Sequence, residues 1–74
     1  MKEEDARVID KARWSSSGIS AIDVATASLG DRSRRHTRTS LSMIGLGIAA
    51  RLCGEGHLEP TRSNLFRLKR KDAA

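Results

Sequence analysis

The side chains best suited to recognising a partner lie in a run of ten residues, from Asp31 to Ser40, that contains no apolar residue. Arginine can donate two parallel hydrogen bonds to O6 and N7 of guanine, while serine and threonine can reach base edges or phosphates. We therefore expect this run to contact nucleic acid. The candidate residues are Arg32, Arg34, Arg35, His36, Thr37, Arg38, Thr39 and Ser40.

Within this run the main contacts are expected from Arg34, Arg35 and Arg38. The hydroxyl groups at positions 37, 39 and 40 are expected to cap a helix or to bind phosphate, because a helix N-terminus presents free backbone N–H groups. Whether each arginine contacts a base or the backbone depends on where in 33–40 the helix starts, and the sequence leaves this open. The alternative interpretation of the run is a flexible basic loop.

A second basic group lies near the C-terminus. Such side chains would neutralise phosphates and release condensed counterions, which makes affinity strongly dependent on salt. The alternative interpretation is an edge strand that lysine and arginine keep from aggregating. The candidate residues are Arg62 at a predicted hairpin tip, followed by Arg67, Lys69, Arg70 and Lys71.

The charge of the chain is distributed unevenly. The formal net charge is +5. Residues 1–31 carry four basic and six acidic groups, a net charge of −2, whereas residues 32–74 carry ten basic and three acidic groups, a net charge of +7. This asymmetry favours a polyanionic partner for the second half, with double-stranded DNA first. An acidic protein, a membrane surface or a merely solvated face are the alternatives.

Residue patterns for catalysis and for metal binding are missing from the sequence. No nucleophile elbow, phosphate-binding loop or paired-carboxylate spacing is present. His36 and His57 are 21 residues apart, and Cys53 is the single cysteine, so a zinc site would lack ligands and no internal disulfide can form. Cys53 is expected to be a small buried apolar group. We predict that the protein is not an enzyme and needs no cofactor.

The length of 74 residues predicts one domain, 1–74, with a thin core. A pocket for a small substrate usually needs about 300–1,000 Å³ of shaped interior, so no small-molecule substrate is expected. The acidic N-terminus is unlike a signal peptide, and the weakly polar run 41–50 is far shorter than a membrane span of about 20 residues. These features favour a cytoplasmic protein without a membrane partner.

Two helices are predicted in the first half of the chain. The apolar residues Val8, Ile9 and Ala12 indicate a helix over residues 2–14, with Trp14 in the core or in contact with another domain. A loop follows at 15–18. Ser20 is expected to cap a second helix, in a capping box completed by Asp23, and Gly30 is expected to end it. The predicted buried stripe of this second helix is formed by Ile22, Val24, Ala25 and Leu29.

A third helix is predicted after the basic run, ending near 53–56. Its buried face is expected to consist of Leu41, Ile44, Ile48 and Leu52, which recur at helical spacing. Three further apolar residues lie off that face and are expected to pack on the hairpin or on a partner: Met43, Leu46 and Ala50. Gly45 and Gly47 are expected to allow close approach of another helix.

The remaining residues predict a β-hairpin. Leu58 follows a glycine turn, 60–64 has turn chemistry, and Phe66 and Leu68 alternate with Arg67 and Lys69. The predicted fold class is therefore α+β: a three-helix helix-turn-helix bundle with a C-terminal two-stranded β-hairpin wing. In a helix-turn-helix the second helix of the pair enters the major groove with its N-terminal end first.

Residues 20–70 resemble the winged-helix domains that close many phage and plasmid primase-helicase replication proteins. The residues that carry the resemblance are 20–25, Leu29-Gly30, Ile44-Gly45, Leu52, Gly56 and 65–70. The long basic insertion at 31–38 and the two glycines of the third helix depart from that pattern. The resemblance implies a DNA-binding module of mobile-element origin that acts in transcription regulation or replication, either free-standing or as part of a larger protein.

A second function class fits the same fold. The chain could be a protein-interaction module or inhibitor encoded by a phage or another mobile element, and then Met43, Leu46 and the two glycines would form the interaction surface or a homodimer surface. Salt-sensitive binding to duplex DNA would distinguish the first class from the second.

Overall fold

A computed structural model describes residues 2–69 of the chain. Three helices are followed by a two-stranded antiparallel hairpin, which confirms the predicted α+β class. A short 3₁₀ segment, Gly30–Arg35, joins the second and third helices. The helices are α1 (Glu3–Arg13), α2 (Ala21–Leu29) and α3 (Arg38–Gly54), and the strands are β1 (Leu58–Pro60) and β2 (Phe66–Leu68).

One residue outside the two strands forms a further backbone bridge to the hairpin. β1 and β2 pair in the register Leu58 with Leu68 and Pro60 with Phe66. Ile19, between α1 and α2, forms an isolated bridge to Phe66, in which each residue donates its N–H to the other's carbonyl at 2.7 and 2.8 Å. A single bridging residue produces no alternation in the sequence, so the sequence does not predict this third segment of the sheet.

The core draws on every helix and on the hairpin. Its buried residues are Val8 and Ala12 of α1, Ile19, Val24 of α2, Ala49 and Leu52 of α3, and Leu58 of β1. Phe66, Ile48 and Cys53 pack against this cluster while remaining partly accessible. Trp14 is 84% exposed, so the first of its two predicted roles, a place in the core, is wrong, and contact with another domain stays a prediction.

The buried side of α3 differs from the predicted one. Ile44 and Ile48 are only half-buried. Leu41 and Leu52 are buried as predicted, and the other two buried positions are Gly45 and Ala49. The reason is the contact at Gly45, where a Cβ atom would lie 1.7 Å from the carbonyl oxygen of Ala21. α3 therefore turns its small residues toward α2, and the predicted close approach is confirmed at Gly45 but wrong at Gly47, where a Cβ atom would meet nothing within 4 Å.

The start of α2 confirms the predicted capping box. The Ser20 hydroxyl accepts from the backbone N–H of Asp23 at 3.2 Å, and the Asp23 carboxylate accepts from the backbone N–H of Ser20 at 3.3 Å. Gly30 has a positive φ of 62° at the other end. The chain does not leave helical structure there, however, because the 3₁₀ segment continues to Arg35.

Two arginines join the helices through contacts that the sequence did not indicate. Arg51 of α3 donates to both carboxylate oxygens of Asp5 in α1, at 2.6 and 2.9 Å, and the Asp5 side chain is only 6% exposed. Arg7 of α1 donates to the carbonyl oxygens of Ala27 and Ser28, at 3.0 and 2.6 Å, and so satisfies the C-terminal end of α2. These contacts hold α1 against both other helices.

Candidate nucleic-acid interface

The predicted basic run is divided between two elements. Arg32, Arg34 and Arg35 lie on the 3₁₀ segment, and His36 adopts an extended conformation with φ −112° and ψ 146°. α3 begins at Arg38, which falls inside the predicted range 33–40. The four arginines, His36, Thr37 and Thr39 are exposed, and Ser40 is half-buried. Arg34 and Arg35 therefore precede the helix, while Arg38 belongs to its first turn.

Thr37 is the N-cap of α3. Its hydroxyl oxygen accepts from the backbone N–H of Ser40 at 3.1 Å, and the same hydroxyl donates to the Ser40 hydroxyl at 3.1 Å. Of the two predicted roles, Thr37 and Ser40 thus take the capping one. Within residues 2–69 the backbone N–H groups of Arg38 and Thr39 have no acceptor, so they are available to an anion.

The arginines of the basic run have no carboxylate partner within residues 2–69. The ion pairs formed within residues 2–69 engage Arg7, Arg51, His57 and Arg67. None of them involves an arginine between positions 32 and 38. Four exposed positive charges within seven residues of sequence therefore produce a positive potential at the start of α3, where the helix dipole is also positive.

The turn of the hairpin presents Arg62. The Thr61 hydroxyl accepts from the backbone N–H groups of Ser63 and Leu65, at 3.3 and 3.2 Å, and Asn64 takes a positive φ of 61°. These contacts hold the turn in one conformation. Arg62 is exposed and takes part in no ion pair within the described residues.

The other basic residues of the hairpin differ in whether their charge is paired with a carboxylate. The Arg67 guanidinium donates to Glu59 on the neighbouring strand at 2.6 Å, so its charge is already matched. Lys69 is exposed. Arg70 and Lys71 lie outside the described residues. Arg62 and Lys69 are thus the hairpin cations that the structure leaves available.

The outer side of α3 and the hairpin turn border one open depression of about 500 Å³. Its lining includes Ser42 and Leu46 of α3, residues 20–22 at the start of α2, and Thr61 and Asn64 of the turn. Arg62 stands between Thr61 and Asn64 in sequence. The hairpin turn that carries Arg62 and the part of α3 that follows Arg38 therefore border the same depression, although 24 residues separate Arg38 from Arg62.

A metal site and a reactive thiol are not indicated within residues 2–69. No three histidine, cysteine, aspartate or glutamate residues of this part of the chain are grouped to hold a metal ion. Burial raises the pKa of the half-buried Cys53 thiol, which disfavours the reactive thiolate. In the same range, each helix is too short or too polar to cross a membrane.

The two large apolar side chains that the sequence placed off the buried face of α3 are exposed. Met43 is 70% exposed and Leu46 is 51% exposed, so the described part of the hairpin does not cover them.

Comparison of the chain with models of known protein families, with curated proteins and with solved structures finds no match in any of the three.

Proposed function

We propose that this protein binds double-stranded DNA through the start of α3 and the turn of the hairpin. The observation that carries the proposal is the set of four exposed arginines, none of them ion-paired within residues 2–69, at the capped N-terminus of a 17-residue helix. An α-helix fits the major groove, and arginine is the side chain that most often contacts guanine there.

The two elements of the basic run have different roles in this proposal. Arg38 lies on the first turn of α3 and moves with the helix into the groove, where its guanidinium reaches a base edge. Arg32, Arg34 and Arg35 precede the helix and contact phosphates. The free N–H groups of Arg38 and Thr39 donate to one further phosphate oxygen. Arg62 and Lys69 bind the backbone beside the hairpin.

The hairpin supports the winged helix-turn-helix interpretation. The Ile19–Phe66 bridge joins it to the helical part, and the Thr61 hydroxyl orders its turn, so Arg62 is held in a fixed place relative to α3. By the resemblance of residues 20–70, the proposal extends to a replication or transcription module of phage or plasmid origin. A cytoplasmic location belongs to the same proposal.

The first test is the paired substitution Arg34→Ala with Arg35→Ala. Binding of a labelled duplex is measured by fluorescence anisotropy at several salt concentrations. With about six phosphate contacts, wild-type affinity falls about 10³-fold between about 50 and 200 mM salt. The double variant binds more weakly at every salt concentration, and the slope of log K against log salt is smaller by about two. The melting temperature is unchanged, because both side chains are exposed.

The matched control is Lys2→Ala with Lys11→Ala, which removes the same charge from α1. Both lysines are exposed. We expect this control to keep most of the wild-type affinity and slope. Equal losses in the two double variants would mean that net charge alone attracts DNA. Absence of salt-sensitive binding to any duplex would contradict the proposed function.

A second candidate function is a protein-interaction module. The observation in its favour is the exposure of Met43 and Leu46 on α3. A stoichiometric protein partner together with no affinity for duplex DNA would support this candidate over the first.

A further inference from the structure

The outer side of α3 is apolar. The exposed residues Thr39, Met43, Leu46, Gly47 and Ala50 recur at helical spacing and lie on one side of the helix. Between Ser42 and Arg51 the exposed side chains of α3 carry no nitrogen or oxygen atom. A helix that packs on a core through one side normally carries polar residues on the other, so this side is built for contact with a partner rather than with water.

The charges around this outer side favour DNA as the partner. Arg38 stands at its start, directly after the arginines of the 3₁₀ segment. Arg62 belongs to the hairpin turn, whose residues Thr61 and Asn64 line the depression together with Leu46. A duplex presents phosphates along both edges of its major groove, so it can neutralise both sets of arginines while the groove floor meets the helix. A second copy of this chain would instead bring the same positive charges toward each other.

We propose that the outer side of α3 recognises thymine, through contacts of Thr39, Met43 and Leu46 with the C5 methyl groups. This inference rests on the proposed function and adds the class of target, a duplex with A·T pairs beneath the helix. Major-groove base edges present hydrogen-bond donors, hydrogen-bond acceptors and the thymine methyl group. An apolar side chain leaves a donor or acceptor without a partner, which costs free energy, whereas it buries a methyl group favourably.

Gly47 has no side chain, and this favours close contact between α3 and the bases. A Cβ atom at this position would meet nothing within 4 Å in the free protein, so the fold does not require glycine there. On the outer side of the helix, between Leu46 and Ala50, a missing side chain lets the helix backbone come closer to the base edges. Position 47 is therefore free for recognition.

The test compares duplexes of about two helical turns, roughly 20 base pairs, with alternating dA and dT or alternating dA and dU. The second duplex lacks every C5 methyl group and keeps the hydrogen-bonding groups. Wild-type protein binds the dA-dT duplex more tightly, by about fourfold for each methyl group buried. In the double variant Met43→Ala with Leu46→Ala, the ratio of the affinity for the dA-dT duplex to the affinity for the dA-dU duplex falls toward one. Because both side chains are exposed, the variant keeps its fold, which a thermal melt verifies.

The paired variant Arg34→Ala with Arg35→Ala separates the two proposals. It weakens binding to both duplexes and leaves the ratio of their affinities unchanged. Equal wild-type affinity for the two duplexes, with salt-sensitive binding to each, overturns thymine recognition and leaves the proposed function standing. Failure to bind either duplex overturns thymine recognition, and failure to bind a duplex with G·C pairs as well overturns the proposed function. A dimer in sedimentation that becomes a monomer in the Met43, Leu46 double variant, with the affinity ratio unchanged, also overturns thymine recognition.

Discussion

Carboxylate partners decide which basic side chains remain available for a ligand. Glu59 engages Arg67, and Asp5 engages Arg51, whereas the arginines from position 32 to position 38 have no acidic neighbour in an ion pair within residues 2–69. Counting charges along the sequence treats all of these arginines alike. Within residues 2–69, the largest group of arginines outside ion pairs lies before and at the start of α3.

The Asp5–Arg51 pair predicts a specific dependence of stability on pH. Hydrogen bonds from Arg51 lower the pKa of Asp5 below its ordinary value of 3.8, and they outweigh the effect of burial. A carboxyl group whose pKa is lower in the folded state stabilises the protein above the unfolded pKa, and this contribution is lost as pH falls through the folded pKa. We expect Asp5→Asn to lower the free energy of unfolding at pH 7 by about 1–3 kcal/mol.

Thermal or urea melts at a series of pH values check this prediction. The difference between wild type and Asp5→Asn is largest above pH 3.8 and shrinks as the pH falls below that value. Asp10→Asn, at an exposed position of the same helix, is the control and leaves the curve almost unchanged. A pH-independent difference for Asp5→Asn would show that the ion pair contributes nothing.

Among the elements, α3 has two sides that differ in their contacts. One side lies so close to α2 that Gly45 touches the backbone of Ala21, and the other side is exposed and apolar. The 3₁₀ segment before it sets three arginines ahead of the first helical turn, and the Thr37 cap defines where that turn begins. The positions of Arg34, Arg35 and Arg38 thus follow from where one helix ends and the next starts.

Alanine substitutions at the two glycines of α3 are expected to change the free energy of unfolding in opposite directions. Gly45→Ala places a methyl group 1.7 Å from the Ala21 carbonyl oxygen, so α2 and α3 must separate, at a cost of about 1–3 kcal/mol or more. Gly47→Ala meets open space and gains helix propensity, about 1 kcal/mol. Urea denaturation of the two variants measures both effects. Equal effects at both positions would contradict the packing of α3 on α2.

Taken as one body, the protein brings the hairpin turn and the outer side of α3 to the same depression. The bridge between Ile19 and Phe66 attaches the hairpin to the helices, and the depression between Leu46 and Thr61 places the turn beside α3. A duplex lying along α3 would therefore also meet Arg62.

This arrangement predicts that Arg62→Ala weakens DNA binding. One lost phosphate contact reduces the salt slope by about one, and the loss is the same for duplexes of different sequence. Salt titration by fluorescence anisotropy measures both quantities. Glu59→Gln with Arg67→Gln is the control, because it removes a matched pair of charges and leaves the net charge unchanged. An unchanged slope in Arg62→Ala would show that the hairpin turn lies away from the duplex.

Local sequence signals correctly predicted the elements of this protein. The three helices, the capping box of Ser20 and Asp23, the helix start within 33–40 and the C-terminal hairpin are all confirmed. These features depend on residues within a few positions of one another, because caps, turns and helical spacing act over one or two turns of chain. The exposed position of the arginines follows in the same way from the absence of apolar residues in 31–40.

Contacts between distant segments were beyond such signals. α3 has apolar or small residues on every side, so its spacing did not tell which side is buried, and the packing of Gly45 on Ala21 settled it. The same holds for the Asp5–Arg51 pair, 46 residues apart, and for the Ile19–Phe66 bridge. Each of these contacts depends on how the helices and the hairpin pack together. The residues adjacent in sequence do not determine that packing.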